Sequence, residues 1–151
     1  LNQTFSSVSS IGLNHRKRPV VGRGLGELGL NRTVLIVDDN PLIRHSLRSW
    51  IEQDPRFRVS GEAENGPIAI DRVRELHPDI VILDLPMPVL RGLEAARQIT
   101  RAAPRTSMVM LTIHCCEQLL KDARAAGIKA VVSKYDRLGD HLLAAINTSC
   151  A

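Results

Sequence analysis

From Thr33 onward the apolar residues follow two alternating rhythms. Short unbroken runs, Val34–Val37 in TVLIVDDNP, the core of DIVILD (Asp79–Asp84) and SMVMLT (Ser107–Thr112), read as strands covered on both faces. Arg58–Ala63 reads as a further strand after the first, and AVVSK (Ala130–Lys134) as the last. Between these runs apolar residues recur at helical spacing. The first such set is Ile43, Leu47, Trp50 and Ile51, with Asn40 as its cap and Pro41 at the favoured first position. Gly66–Leu76 presents Ala69, Val73 and Leu76, and Arg91–Arg101 forms the third helix. Leu119, Leu120 and Ala123 mark the fourth helix, which Gly127 ends as a C-terminal cap, and Leu138, Leu142, Leu143 and Ile146 mark the fifth. Strands alternating one for one with helices predict a single α/β domain over residues 33–149, a doubly wound parallel sheet of five strands with five helices on its faces.

The polar residues that break the apolar runs fall at strand ends. Asp38 and Asp39 close the first strand, Asp84 the third, Thr112 the fourth and Lys134 the fifth. Adjacent strand residues point to opposite faces, so Asp38 and Asp39 cannot both be buried on one side of a sheet. Ligands of doubly wound sheets bind beyond the carboxyl ends of the strands, where the strand order reverses. In the flavodoxin-like order 2-1-3-4-5 the first and third strands are neighbours there, and Asp38, Asp39 and Asp84 converge. Carboxylates about 5 Å apart repel by roughly 3 kcal/mol per pair at an effective dielectric near 20. Such a cluster takes up protons or binds a cation, and an all-oxygen set without His or Cys favours Mg²⁺ over zinc. Thr112 and Lys134 facing the same edge suit a phosphoryl group, whose oxygens the lysine neutralises and the hydroxyl hydrogen-bonds. Asp84 is then the candidate nucleophile that accepts the group.

Composition changes this picture little. Aromatic residues make up only 3% of the chain, so Leu, Ile, Val and Ala must build the core. The net charge of +4 comes from residues 1–32, where Arg16, Lys17, Arg18, Arg23 and Arg32 face only Glu27. Residues 33–151 are balanced, which offers no net electrostatic attraction for nucleic acid. The first 32 residues are expected to be a flexible basic Gly/Ser-rich extension. Its GLGELG (Gly24–Gly29) matches a dinucleotide-loop pattern, but no strand precedes it and no helix follows. HRKR (His15–Arg18) reads as solvated charge. Cys115, Cys116 and Cys150 lack metal-ligand spacing, and adjacent cysteines on a helix point apart, so free thiols in a reducing cytoplasm are expected. No run reaches the ~20 apolar residues of a membrane span.

Taken together, VDD (Val37–Asp39), DLPMP (Asp84–Pro88) with Gly92, Leu111–Thr112 and Ser133–Lys134 resemble the response-regulator receiver domain of two-component signalling, in family order and spacing over residues 33–149. The resemblance implies that Asp84 is the phosphoacceptor. It implies Mg²⁺ held by Asp39, by Asp38 through water, by Asp84 and by the backbone carbonyl of Pro86. Thr112 and Lys134 would contact the phosphoryl group and couple it to the face made by the fourth helix, fifth strand and fifth helix. His114 and the sequence Lys134-Tyr135-Asp136 are similar to receivers that carry LuxR/NarL-type outputs. Three positions depart from the pattern, the first being Tyr135 after Lys134, where the lack of a proline makes a cis-proline turn unavailable. Ile113 stands where receivers place a small residue and is expected to narrow access to Asp84. Val131 stands where they commonly carry Tyr or Phe, and Tyr135 is not at the matching position.

The resemblance implies a cytoplasmic receiver, with no output domain in this chain and no turnover of an external substrate. Its partners would be a sensor histidine kinase or phosphotransfer protein and an output partner or second copy, with no direct nucleic-acid or membrane binding expected. The alternative is a phosphorylation-independent receiver-like interaction module, which Ile113 and Val131 motivate. A phosphohydrolase of the haloacid-dehalogenase type is disfavoured, because it needs a second Asp where this chain has Pro86. A flavodoxin is disfavoured by acids where its phosphate loop would lie.

Overall fold

A computed structural model of the chain describes residues 31–87, 91–135 and 137–149. GLGELG, HRKR, Pro88, Asp136 and Cys150 therefore lie outside the described residues. The elements alternate as β1 (Arg32–Val37), α1 (Pro41–Ile51), β2 (Phe57–Ala63), α2 (Gly66–Leu76), β3 (Ile80–Asp84), α3 (Gly92–Ala102), β4 (Ser107–Thr112), α4 (Glu117–Ala125), β5 (Ala130–Ser133) and α5 (Leu138–Ser149). All strands are parallel, in the order β2-β1-β3-β4-β5. Both the flavodoxin-like sheet and its reversal between β1 and β3 are as the sequence predicts.

The two-residue period of the strands divides the core. Leu35, Val37, Val81, Leu83, Met108 and Met110 pack under α2, α3 and α4 against side chains such as Val73, Ile99 and Ala123. Their neighbours Val34, Ile36, Ile80, Ile82, Val109 and Leu111 pack under α1 and α5 against Leu47, Ile51, Leu142 and Ile146. Strand residues are buried on both faces, which is why the runs are unbroken rather than alternating.

Local chemistry sets the element ends. Asn40 caps α1 by accepting from the Leu42 N–H at 2.9 Å, with Pro41 in the first turn. Asn65 caps α2 in the same way through the Ile68 N–H. Gly127 follows α4 at φ +90°, a left-handed conformation that glycine adopts without a Cβ clash. Four strand boundaries move slightly, β2 beginning at Phe57 instead of Arg58. Arg32 joins β1 because its N–H donates to the Arg56 carbonyl, and Asp79 leaves β3 because its carboxylate accepts from the Thr33 N–H and hydroxyl. Lys134 lies just past β5, tied on by its N–H to the Thr112 carbonyl at 2.8 Å.

Candidate functional site

Register builds the site. Val37 lies opposite Leu83, so the residues that follow, Asp38 and Asp84, leave neighbouring strands side by side. Continued alternation turns Asp38, Asp84 and Lys134 to the side of the sheet occupied by Ile36, Ile82 and Val132. Asp38 is fully buried and Asp84 nearly so, while Asp39 is exposed, the division expected of adjacent strand-end residues. One carboxylate oxygen from each of the three aspartates lies within 4.8 Å of the others.

Lys134 spans the cluster. Its Nζ donates to Asp38 Oδ2 at 3.0 Å and stands 2.7 Å from Asp84 Oδ1. The second approach is an ion-pair contact, and apart from Lys134 nothing among the described residues donates to the buried Oδ1 of Asp84. Asp38 is further fixed by the Asn40 N–H, which donates to its Oδ1 at 2.8 Å. Burial pushes the Asp84 carboxyl up to about 6, with the charges of Asp38 and Asp39 adding to the rise and Lys134 opposing it. Burial alone would lower Lys134, but Asp84 and Asp38 outweigh it and hold the ammonium above its ordinary value. The cluster thus holds three carboxylates against one cation. A hard divalent cation with oxygen preference fits that donor set.

The remaining predicted residues take different positions. Pro86 is exposed two residues beyond Asp84, and among the described residues nothing donates to its carbonyl. Thr112 is buried, but its hydroxyl donates to the His114 carbonyl at 2.9 Å and accepts from the His114 N–H at 3.2 Å. Its alternation places it with Met108 and Met110, opposite to Asp84, so the structure joins it to the β4–α4 loop rather than to the carboxylates. Ile113 is partly exposed at 38%, and Val131 packs against the core under α2–α4. Cys115 and Cys116 precede α4 rather than lying on it, as exposed free thiols, and the Cys116 sulfur caps the helix by accepting from the Leu119 N–H.

Three supporting residues escaped the sequence reading. Arg44 donates from Nη1 to the Asp38 carbonyl at 2.8 Å and from Nε to Glu62, which also pairs with Arg48. The i, i+4 spacing of Arg44 and Arg48 signals a shared acidic partner, yet only the tertiary fold identifies it as Glu62 on β2. Gly92, already part of the motif, has a structural reason as well. A Cβ there would lie 2.5 Å from the Asp84 carbonyl oxygen and 3.0 Å from Leu85 Cα, so α3 begins in direct contact with the Asp84 segment.

Residues 34–147 match the response regulator receiver domain family. The transcriptional regulatory protein YdfI of Bacillus subtilis is 39% identical over 101 residues, a match covering 67% of this chain and 47% of that protein. The chemotaxis protein CheY of Halobacterium salinarum is 34% identical over 103 residues, covering 68% of this chain and 84% of that protein. The crystal structure of a LuxR-family two-component response regulator from Aurantimonas sp. SI85-9A1 superposes with a TM-score of 0.73 at 32% identity, covering 77% of this chain and 82% of that one. The chain spans about half the length of the curated transcriptional regulators it matches. Among the described residues, no helix is long and apolar enough to cross a membrane.

Proposed function

This chain belongs to the response regulator receiver domain family of two-component systems, and from that premise we propose that Asp84 is its phosphoacceptor, loaded in a Mg²⁺-dependent reaction. The observation that carries the proposal is a buried Asp84 whose Oδ1 lies 2.7 Å from the Lys134 ammonium, clustered with the carboxylates of Asp38 and Asp39. An Asp84 carboxylate oxygen attacks the phosphorus of a phosphohistidine on a sensor kinase or phosphotransfer protein. The new O–P bond forms as the P–N bond breaks, and the histidine leaves with the electron pair. Water later attacks the same phosphorus and returns carboxylate and inorganic phosphate.

Each residue has a part in this reading. Asp38, Asp39, Asp84 and the Pro86 carbonyl would hold Mg²⁺, which when bound neutralises the developing charge on the phosphoryl oxygens. Lys134 contacts the incoming group from the other side and offsets the negative charge that remains. Asp84, though raised to about 6, is mostly ionised at neutral pH and available as the nucleophile. Thr112 is the coupling residue. A hydroxyl that leaves the His114 backbone for a phosphoryl oxygen releases the loop that leads into α4, and so alters the face made by α4, β5 and α5, where Tyr135 is exposed. That face would meet an output partner or a second copy.

The test is intact-mass spectrometry after incubation with acetyl phosphate and Mg²⁺, beside Asp84→Asn. One added phosphoryl group, absent from the variant and from a Mg²⁺-free sample, is the expected result. A folded, Mg²⁺-binding protein that takes up no phosphoryl group would overturn the proposal, and a phosphorylation-independent interaction module would replace it. Ile113→Ala is expected to load faster than the parent, because it opens the rim beside Thr112.

A further inference from the structure

The carboxylates of the aspartate cluster are not held equally. Asp38 is fixed on several sides: its N–H donates to the Ala63 carbonyl at 3.1 Å, its Oδ1 accepts from the Asn40 N–H, and its Oδ2 accepts from Lys134. Asp39 is exposed, and among the described residues no ion pair holds its carboxylate. The place of Asp39 is therefore set by the backbone that leads to it, above all by the Asp38–Asp39 peptide. A peptide unit is planar, so fixing its carbonyl oxygen fixes the plane from which the next residue departs. That oxygen accepts from Arg44 Nη1 at 2.8 Å.

Arg44 lies one turn into α1, and helix side chains lean toward the helix N-terminus, so its guanidinium reaches back over the first turn to the β1–α1 junction. Its Nε donates to Glu62 Oε2 at 3.0 Å, which fixes the fork from the β2 side, and its side chain is only 17% exposed. A cation beside three carboxylates would ordinarily pair with one of them and oppose the uptake of a further cation. Among the described residues Arg44 makes no ion pair with Asp38, Asp39 or Asp84, and its partner is Glu62. Its donors thus go to a neutral carbonyl and to an acid on the neighbouring strand, and the oxygens of the cluster stay available. Arg48, one turn further along α1, pairs with the same Glu62 at 2.8 Å and with Glu52, and makes no bond to Asp38.

The geometry points to Arg44 as a positioning residue of the cation site: through the Asp38 carbonyl it holds the Asp38–Asp39 peptide in the orientation that brings Asp39 to Asp38 and Asp84, while Glu62 takes up its charge. This role presupposes the Mg²⁺ site proposed for the cluster. Mg²⁺ demands near-octahedral placement of its oxygen ligands, so a loosened carboxylate lowers affinity. Residues that orient ligands without touching the metal typically account for roughly 10- to 100-fold in affinity. Charge and position predict opposite signs here. Removing a nearby cation tightens Mg²⁺ binding if charge alone acts, whereas losing the orientation of Asp39 weakens it.

NMR titration of the isotope-labelled full chain with magnesium chloride, well below the thermal midpoint, reads the affinity of the folded protein alone. Arg44→Met, which cannot donate to the Asp38 carbonyl, is expected to bind Mg²⁺ about tenfold more weakly than the parent. Arg48→Met is the control. It removes a partner of Glu62 from the same helix without touching Asp38, so its melting midpoint falls while its Mg²⁺ affinity stays within about twofold of the parent's. A merely structural role would lower the melts of both variants and leave the Kd of both folded chains at the parent's value, and that result would overturn the assignment. Tighter binding by Arg44→Met would overturn it too, leaving the Mg²⁺ site in place and making Arg44 only a repelling charge. Equal weakening in both variants would assign the effect to α1 as a whole rather than to the bond with Asp38. A parent that takes up no Mg²⁺ would overturn the cation site itself, and the part of Arg44 with it.

Discussion

Asp84 is buried and yet must carry charge to act as proposed, and the two demands conflict. Burial, reinforced by Asp38 and Asp39, raises its carboxyl to about 6 even with Lys134 alongside. A carboxyl that holds its proton more tightly folded than unfolded stabilises the fold at low pH, and that contribution is lost as pH rises through the folded value. In a chelator, Asp84→Asn is therefore expected to be more stable than the parent at a pH of about 8, by on the order of 2 kcal/mol, with the difference vanishing towards a pH of about 4. Urea melts at the two pH values check this. A variant no more stable than the parent at the higher pH would mean that Lys134 compensates the buried charge fully. Lys134 is the counterpart. Lys134→Met leaves the buried Asp38 and Asp84 facing each other with no cation, and is expected to cost about 3 kcal/mol in the same melts. The acids and the lysine were legible in the sequence because each ends an apolar run. The hydroxyl of Thr112 was not. Its type and position suit a phosphoryl contact, but alternation on β4 turns it towards the α4 loop, and only the tertiary fold gives its bonds to His114.

At the scale of elements, α1 is held to the sheet by a clamp as well as by its apolar face. Glu62 on β2 accepts from both Arg44 and Arg48, and Arg44 also donates to the carbonyl of Asp38. Burial alone would raise Glu62, but the guanidiniums of Arg48 and Arg44 outweigh it and hold the carboxyl below its ordinary range. A carboxyl lowered in this way stabilises the fold above its unfolded value, and the contribution disappears as pH falls through the folded value. Glu62→Gln is thus expected to cost about 1 kcal/mol at neutral pH, discounted for its partial exposure, and nothing in acid. Equal cost at both pH values in urea melts would show that shape rather than charge matters there. The order of elements, their type and most of their boundaries were legible, since long helices and two-face strands have distinct periods. The Glu62 clamp was not, because periodicity assigns faces but cannot say which acid on another element a helix will meet. Gly92 shows the same limit. It belongs to the motif, but its reason is the 2.5 Å approach of a would-be Cβ to the Asp84 carbonyl oxygen. Gly92→Ala is expected to destabilise by about 2 kcal/mol and to slow phosphoryl loading, because the loop that carries Asp84 must shift. A parent-like melt and loading rate would mean the loop yields freely.

Across the whole molecule, one topological fact organises both ends. Parallel strands with helical returns send all strand ends to one edge and all strand starts to the other, so that Asp38, Asp39 and Asp84 gather at the finishing edge although residues 33–151 carry no net charge. The zero net charge of residues 33–151 hides this gathering, whereas assigning Asp38, Asp39 and Asp84 to strand ends recovers it. The acidic edge makes global stability a readout of cation binding. A ligand that binds only the folded chain stabilises it by RT ln(1 + [L]/Kd), about 2.7 kcal/mol at a hundredfold excess over Kd. Mg²⁺ is therefore expected to raise the thermal midpoint of the parent. Protons compete for the same oxygens: below its raised value of about 6, Asp84 is neutral and a poorer ligand. The Mg²⁺-induced rise should accordingly be larger at a pH of about 8 than of about 5, and Asp39→Asn, at the exposed carboxylate of the cluster, should reduce it at both. A response absent from the parent would remove the cation from the site altogether.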